Sequence, residues 1–330
     1  MDIKIGNVEL KHGLFLAPMA GYSDRAMRVV CREAGAEYAV TEMVSAKAIV
    51  FGDKKTVRLA RIKEDEGPVA LQIFGSEPDT MARAAEMMQN GCGEGFVAPS
   101  AIDINMGCPV PKIFNNGEGS ALMRSPDLIY KIVKSVKENI ALPVTVKLRA
   151  GINKESINAV ECALAAEAGG AALVCIHGRT RVEMYSGKAD REIIKNVKQS
   201  LHIPVVANGD ITSGEEAISM LSETGADGIA IGRGAVGNPF IFKEITAALE
   251  EKEYTVPSFG EIIQMALCQL RLSVADKGER VAVPEARKQI ASYLSSFRGA
   301  AEIRGRINQS VSYTEIEKIL LDALDRSLQV

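Results

Sequence analysis

The chain has 330 residues, 47% of them apolar and 25% charged, with a net charge of −3. That is enough material for one elaborated barrel or a large domain with a smaller companion, and the charge balance excludes a protein that attracts nucleic acid through bulk positive charge. No run of about 18 apolar residues predicts a membrane span, and MDIKIGNVELKHG lacks the basic start and apolar core of a secretory signal, so a cytoplasmic protein with no membrane partner is expected.

Eight short apolar runs follow in chain order: FLAPMA (15–20), YAVTEMV (38–44), VALQIFG (69–75), AIDINMG (101–107), PVTVKLRAG (143–151), ALVCIHG (172–178), PVVANGD (204–210) and GIAIGRG (228–234). Each is nearly continuous in apolar residues and ends in polar residues or glycine, the pattern of a strand buried on both faces. Helical signals lie between them. Met81, Ala84, Ala85, Met88 and Cys92 share one helical face, and Thr212 with Glu215, or Ser213 with Glu216, has capping-box spacing. Eight such units in this length predict an α/β (β/α)8 TIM barrel. The rival, a doubly wound open sheet, lacks a GxGxxG after its first strand.

Beyond residue 250 the strand runs stop. EEKEYTVPSFG reads as a connector, and three apolar stripes follow, through Ile263–Val274, Ile290–Phe297 and Ile316–Leu324, with Ser312 and Glu315 spaced to cap the last. The expected organisation is a barrel domain over 1–250 and a small C-terminal helical domain over 251–330. Residues 271–306 hold eight Lys or Arg against four Asp or Glu, a local excess of +4. Such a bias fits either an RNA-facing surface or a solvated helix face.

Barrel active sites lie at the C-terminal ends of the strands. Those ends carry Pro18, Met19 and Ala20, then Gln72, Asn105 to Cys108, Lys147 with Arg149, His177 with Arg179, Asn208, Gly209 and Asp210, and Gly232 with Arg233. The glycines after the seventh and eighth runs let backbone N–H groups approach a phosphate, although plain turns use glycine too. Lys147 is placed to hold a group that becomes negative. Gln72 can both donate to and accept from a heteroaromatic edge. His177 is placed to donate to a cofactor, whereas His12 and His202 read as structural.

Six cysteines form no CxxC pair and no ligand spacing with histidine, which argues against disulfides and a metal site. Cys31, Cys92, Cys162, Cys175 and Cys268 read as interior residues of helices or strands. Cys108 stands on a loop between Gly107 and Pro109, ahead of the Gly- and Asn-rich FNNGEGSALM, which is expected to be mobile. A thiol there, mostly protonated at neutral pH, serves as an acid or as a nucleophile.

With these residues assembled, the chain resembles the bacterial tRNA-dihydrouridine synthases, flavin enzymes related to the dihydroorotate dehydrogenase barrels. APMAGYSD (17–24), TEMVSAKA (41–48), DINMGCPVPKI (103–113), GSALM (119–123), VKLRAG (146–151), HGRTR with MYSGKAD (177–190), NGDI (208–211), TGADGIAIGRGAVGNPFIF (224–242), ARKQIASYL (286–294) and GAAEIRGRIN (299–308) carry the resemblance over nearly the whole length. It implies FMN held by Pro18–Ala20, Gln72, Lys147, His177, Asn208–Asp210 and Gly232–Arg233, with NADPH or NADH as electron donor. It implies reduction of the C5–C6 bond of uridines in tRNA, with hydride passing from flavin N5 to C6 and a proton from Cys108 to C5. Asn105, Arg149 and Arg179 would seat the base, which must first be extruded from its stack, and Arg287, Lys288 and Arg304 would grip the tRNA. A monomer is expected. Reduction of a free pyrimidine or small enone, and a non-catalytic RNA-binding barrel, are the alternative readings. The family commonly has Trp after SGxAD and RKHI with a following Trp in the tail, where this chain has Arg191, Gln289 and Ser292.

Overall fold

The computed structural model describes residues 3–295, 297 and 299–327. An antiparallel hairpin of β1 (Ile3–Ile5) and β2 (Val8–Leu10) opens the chain. Then come β3 (Leu14–Leu16), β4 (Tyr38–Val40), the two-residue β5 (Val44–Ser45), β6 (Val69–Phe74), β7 (Ala101–Asn105), β8 (Val144–Arg149), β9 (Leu173–His177), β10 (Val205–Asn208) and β11 (Gly228–Ile231). All pairings from β3 onward are parallel. They run β4-β3-β11-β10-β9-β8-β7-β6, and β4 also pairs with β6, which closes the sheet into a barrel. Every one of the eight expected runs contributes a barrel strand; β5 only extends the edge of β6.

Alternation along the strands sorts side chains into two cores. Leu14, Leu16, Leu71, Ile73, Ile102, Ile104, Val146 and Leu148 face outward and pack against the surrounding helices. Phe15, Tyr38, Val40, Ala70, Ala101, Cys175, Val206 and Ala230 face inward, and Ile3, Ile5 and Leu10 of the hairpin join them. The hairpin, which is not among the expected strands, is thus a hydrophobic plug at the N-terminal end of the barrel. The opposite end is left for polar residues.

The helices follow their caps. Pro78–Met88 buries Met81, Ala84, Ala85 and Met88, but it stops before Cys92, which lies half-buried in the following turn rather than inside a helix. Ser213 caps Gly214–Thr224 by accepting from Glu216 N–H, and the Glu216 carboxylate accepts from Thr212. Among the described residues four helices follow residue 258: Phe259–Lys277, Glu279–Ser292, Ala300–Gln309 and Tyr313–Ser327. They share a third core through Ile263, Leu270, Ile290, Leu294, Ile307 and Leu320. The second expected stripe does not lie on one helix, because Glu279–Ser292 ends before Tyr293; Tyr293 and Leu294 are buried in the turn beyond it. The third stripe lies on Tyr313–Ser327, whose Glu315 N–H donates to Ser312 Oγ at 3.3 Å. Arg298, part of the basic tail segment, lies outside the described residues.

Candidate active site

The inward faces of β6 to β10 turn polar at their C-terminal ends, and strand register sets these residues on adjacent levels. Asn105 pairs with Lys147, Lys147 with Cys175, Arg149 with His177, and His177 with Asn208. Above them opens a cavity of about 530 Å³, within the usual ~300–1,000 Å³ of small-molecule and cofactor sites. All the residues expected against a cofactor line it: Pro18, Met19 and Ala20, Gln72, Lys147, His177, Asn208 to Asp210, and Gly232 with Arg233. Asn105, Cys108 and Arg149 line it too.

One wall gathers backbone amides and a guanidinium. The turn Arg233–Ala235 starts here; Ala235 N–H donates to Gly232 O and Val236 N–H to Arg233 O, so the Arg233 and Gly234 amides precede the turn's own hydrogen bonds. Gly234 is required by the fold as well, since a Cβ there would sit 2.2 Å from Ile211 O. Beside it Gly209 (φ +134°) and Asp210 (φ 53°) adopt the left-handed region, a strained choice for Asp210 that its surroundings must enforce. They do so: the Asp210 carboxylate accepts from Ala189 N–H at 2.7 Å, Arg179 Nη2 at 2.7 Å and Arg233 Nη2 at 3.2 Å. Burial pushes the Asp210 carboxyl up, but these donors outweigh it and hold the group below the usual carboxylate range.

On the floor, Lys147 Nζ donates to Asn208 Oδ1 at 2.9 Å, and Asn208 Nδ2 donates to Ala230 O at 2.7 Å. Burial pulls the Lys147 ammonium below its ordinary value. A desolvated lysine of this kind interacts strongly with any negative charge placed over it. His177 is pushed far down, by burial first and then by the cations Lys147, Arg149, Arg179 and Arg233, so its ring is neutral. Arg179 Nη1 lies 3.3 Å from His177 Nε2. A guanidinium only donates, so Nε2 accepts and the His177 proton sits on Nδ1.

Cys108 stands on the opposite rim. Its N–H donates to Asn105 Oδ1 at 2.9 Å, and its carbonyl accepts from Ser120 N–H at 3.1 Å and Ser120 Oγ at 2.8 Å. The segment expected to be mobile is instead folded, into Pro111–Asn115 and the buried 3-10 turn Gly119–Arg124 that supplies Ser120. Burial raises the Cys108 thiol above its ordinary value, against the Val110 N–H and the charge of Arg149. The thiol is therefore protonated at neutral pH.

Arg149 lines the cavity; its Nε donates to Gly107 O (2.8 Å) and its Nη1 to Thr180 O (2.9 Å) and Met184 O (3.0 Å), which ties the loops after β7 and β9 together. Arg179 stands apart from the cavity lining. It is 1% exposed, and its guanidinium is taken up by Ser186 O, Gly187 O, Asp210 and His177. This places it otherwise than a base-seating residue would need. Arg287 donates to Ser310 O, Arg304 Nε to its own helix at Ala300 O, and Lys288 Nζ lies 4.1 Å from the centre of the Tyr22 ring. None of these three tail residues reaches the cavity, although Tyr22 sits on the loop that carries Pro18–Ala20.

Met43, Met184 and Tyr185 line the cavity unannounced by the sequence. Tyr185 is half exposed, with Arg233 4.8 Å and Arg149 5.9 Å from its ring centre. The hints are position, in the loop after the sixth run for Met184 and Tyr185, and their place within MYSGKAD and TEMVSAKA. Asp103 is the other omission: it lies one layer below the cavity, buried within an apolar run. Among the described residues, no group of three or more His, Cys, Asp or Glu could hold a metal ion, and no helix is long and apolar enough to cross a membrane.

Comparison with known proteins agrees along the whole chain. Two solved structures share the fold: histamine dehydrogenase from Rhizobium sp. 4-9 (TM-score 0.57, 15% identity, 87% of this chain) and 6-hydroxypseudooxynicotine amine oxidase from Pseudomonas geniculata N1 (TM-score 0.58, 14% identity, 76% of this chain). This chain spans only 50% and 49% of them. A probable tRNA-dihydrouridine synthase of Rickettsia conorii is 40% identical over 93% of this chain and 91% of its own length. Another, of Treponema pallidum, is 38% identical over 97% and 96%, and tRNA-dihydrouridine synthase B of Pseudomonas aeruginosa is 39% identical over 93% and 91%. The family model for dihydrouridine synthase (Dus) matches residues 15–329. The chain belongs to the dihydrouridine synthase family.

Proposed function

We infer that this protein is a tRNA-dihydrouridine synthase, a cytoplasmic, monomeric flavin enzyme that binds FMN in the barrel mouth and takes electrons from NADPH or NADH. One observation carries the reading: a protonated thiol, a half-buried lysine and a tight turn that starts at Arg233 line a single cavity of cofactor size. Family membership supports the substrate, since the relatives are named for it.

The donor set fits the cofactor. The amides of Arg233 and Gly234 with the Arg233 side chain would take the phosphate, and His177 Nδ1–H offers a neutral donor. Lys147 and Gln72 would face the ring, Lys147 favouring its anionic reduced form. A reduced flavin held there would supply the hydride for uracil C6. Negative charge then develops over C5 and O4 of the base, and Cys108 gives its proton to C5; solvent returns a proton to the thiolate. Cys108 acts as a general acid in this scheme, which its raised pKa suits better than nucleophilic attack. The helices of 251–330 would hold the RNA while the barrel of 1–250 performs the reduction.

The test is direct. Protein purified with FMN is incubated with NADPH and an unmodified tRNA transcript, and dihydrouridine is measured by nucleoside mass spectrometry. A yellow protein that forms dihydrouridine in RNA is expected. Turnover of free uridine without RNA would favour a small-molecule reductase, and a colourless protein that takes up no flavin would leave only a non-catalytic barrel.

A further inference from the structure

Beneath the cavity a chain of hydrogen bonds runs from the barrel interior to the proton donor. Thr145 Oγ1 donates to Asp103 Oδ1 at 2.6 Å, and Gln72 Nε2 donates to Asp103 Oδ2 at 2.7 Å. Asn105 Nδ2 donates to Gln72 Oε1 at 2.8 Å. Asn105 Oδ1 then accepts the backbone N–H groups of Gly107 at 3.2 Å and Cys108 at 2.9 Å. Gln72, Asp103 and Asn105 are all buried, and register explains their meeting: Gln72 pairs with Asp103, and Asp103 with Thr145.

The polarity of this chain is fixed from the Cys108 end. Backbone N–H groups only donate, so the Asn105 oxygen must face the Cys108 loop and its amide must face Gln72. That amide needs an acceptor, so Gln72 turns its oxygen toward Asn105 and its own amide toward Asp103, whose Oδ2 accepts. Each primary amide thus has one permitted orientation. Without the acceptor at its base, Gln72 is left with an unpaired buried N–H₂ and a reason to turn over, which would set two donors against each other at Asn105.

We propose that Asp103 is a positioning residue for proton transfer: through Gln72 and Asn105 it fixes the backbone that presents Cys108 to the cavity. This rests on the reading of Cys108 as the acid. Asp103 lies a layer below the cavity and touches none of the reacting atoms. Its work is done through two amides, and Ser120 anchors the Cys108 carbonyl from the other side.

The experiment uses the flavin-loaded, full-length protein. Iodoacetamide alkylation mapped by peptide mass spectrometry follows the Cys108 thiol, with half-buried Cys92 as an internal reference. Reoxidation of the reduced protein by unmodified tRNA, with tRNA affinity measured alongside, follows the chemistry. In Asp103→Ala, Cys108 alkylation is expected to quicken by about ten-fold relative to Cys92, as a buried hydrogen bond is removed. Reoxidation should slow by about ten-fold or more at unchanged tRNA Kd, because a displaced acid loses alignment. Asp103→Asn keeps an acceptor toward Gln72 and a donor toward Thr145, and should restore both rates to near the wild type. If Asp103→Ala does not fold, Asp103→Leu, which is of similar size but has no acceptor for Gln72, replaces it and should show the same selective effect.

Wild-type alkylation at Cys108, or equal acceleration at Cys92 and Cys108, overturns the proposal, since a merely structural acid would loosen both. Absence of tRNA-dependent reoxidation in the wild type would defeat the functional reading instead, while the alkylation ratio still decides the relay.

Discussion

His177 shows how burial and neighbouring charge turn a titratable residue into a fixed donor. Burial and four neighbouring cations keep it neutral, far below its ordinary value of 6.5. In the unfolded chain it takes up a proton below that value; in the folded protein it does not. Its contribution to stability is therefore constant above about pH 6.5 and is lost as pH falls below it. The loss amounts to about 1.4 kcal/mol for each further pH unit. Comparing chemical denaturation of the wild type with His177→Gln from pH 7.5 to 5 should show the wild type losing stability more steeply below pH 6.5. Parallel curves would mean that His177 is protonated in the folded state. The sequence marks His177 by its place at a strand end. It does not reveal the tautomer, which depends on Arg179 folding back over the ring.

Asp103 and Arg179 escape a linear reading for related reasons. An acid inside AIDINMG reads as part of a buried run, and only the register of β6, β7 and β8 shows what it meets. An arginine beyond a strand end reads as a substrate ligand, until three carbonyl or carboxylate oxygens and a ring nitrogen are found around it. Pattern along a chain identifies which residues face inward. It does not identify their partners on other strands.

At the scale of elements, the long buried runs are legible because each has to be apolar on both faces. The N-terminal hairpin is not, since each arm has only three residues and its apolar positions mean little without a barrel to plug. The tail helices are legible as stripes, but the end of Glu279–Ser292 is not, because apolar residues in the turn beyond it continue the stripe. Those helices also touch the loop that carries Pro18–Ala20: Gln289 Nε2 donates to Gly21 O at 3.2 Å, and Lys277 Nζ reaches Asp24 Oδ2 at 2.6 Å. Gln289 stands where the resemblance leads one to expect histidine, and it still reaches the barrel. Arg191, in the place of the expected Trp, pairs instead with Glu223 on the neighbouring helix.

Among the tail cations, Lys288 and Arg304 are exposed, whereas Arg287 is half-buried against Ser310 O. Replacing Lys288 and Arg304 with Ala should weaken tRNA binding and lower the slope of log K against log salt by about 0.7–0.9 for each phosphate no longer neutralised. Arg287→Ala should instead cost mainly stability, by about 1 kcal/mol, through its hydrogen bond. Unchanged affinity and slope in the double variant would remove the tail from the RNA-binding surface.

At the scale of the molecule, three cores divide the labour. The inner core closes one end of the barrel, the outer core sets the strands among their helices, and the tail core builds a helical unit beside the open end. Polar residues are concentrated at that open end, so the residues proposed to hold the cofactor line one cavity with Cys108. The central claim is that Cys108 acts there as the acid and is not needed for binding or reducing the cofactor. The most direct measurement is anaerobic single-turnover reoxidation of NADPH-reduced Cys108→Ala protein by unmodified tRNA, followed by flavin absorbance. The variant is expected to bind FMN and accept electrons from NADPH as the wild type does, with tRNA-driven reoxidation slower by about 10²-fold or more. Reoxidation at the wild-type rate would contradict the account.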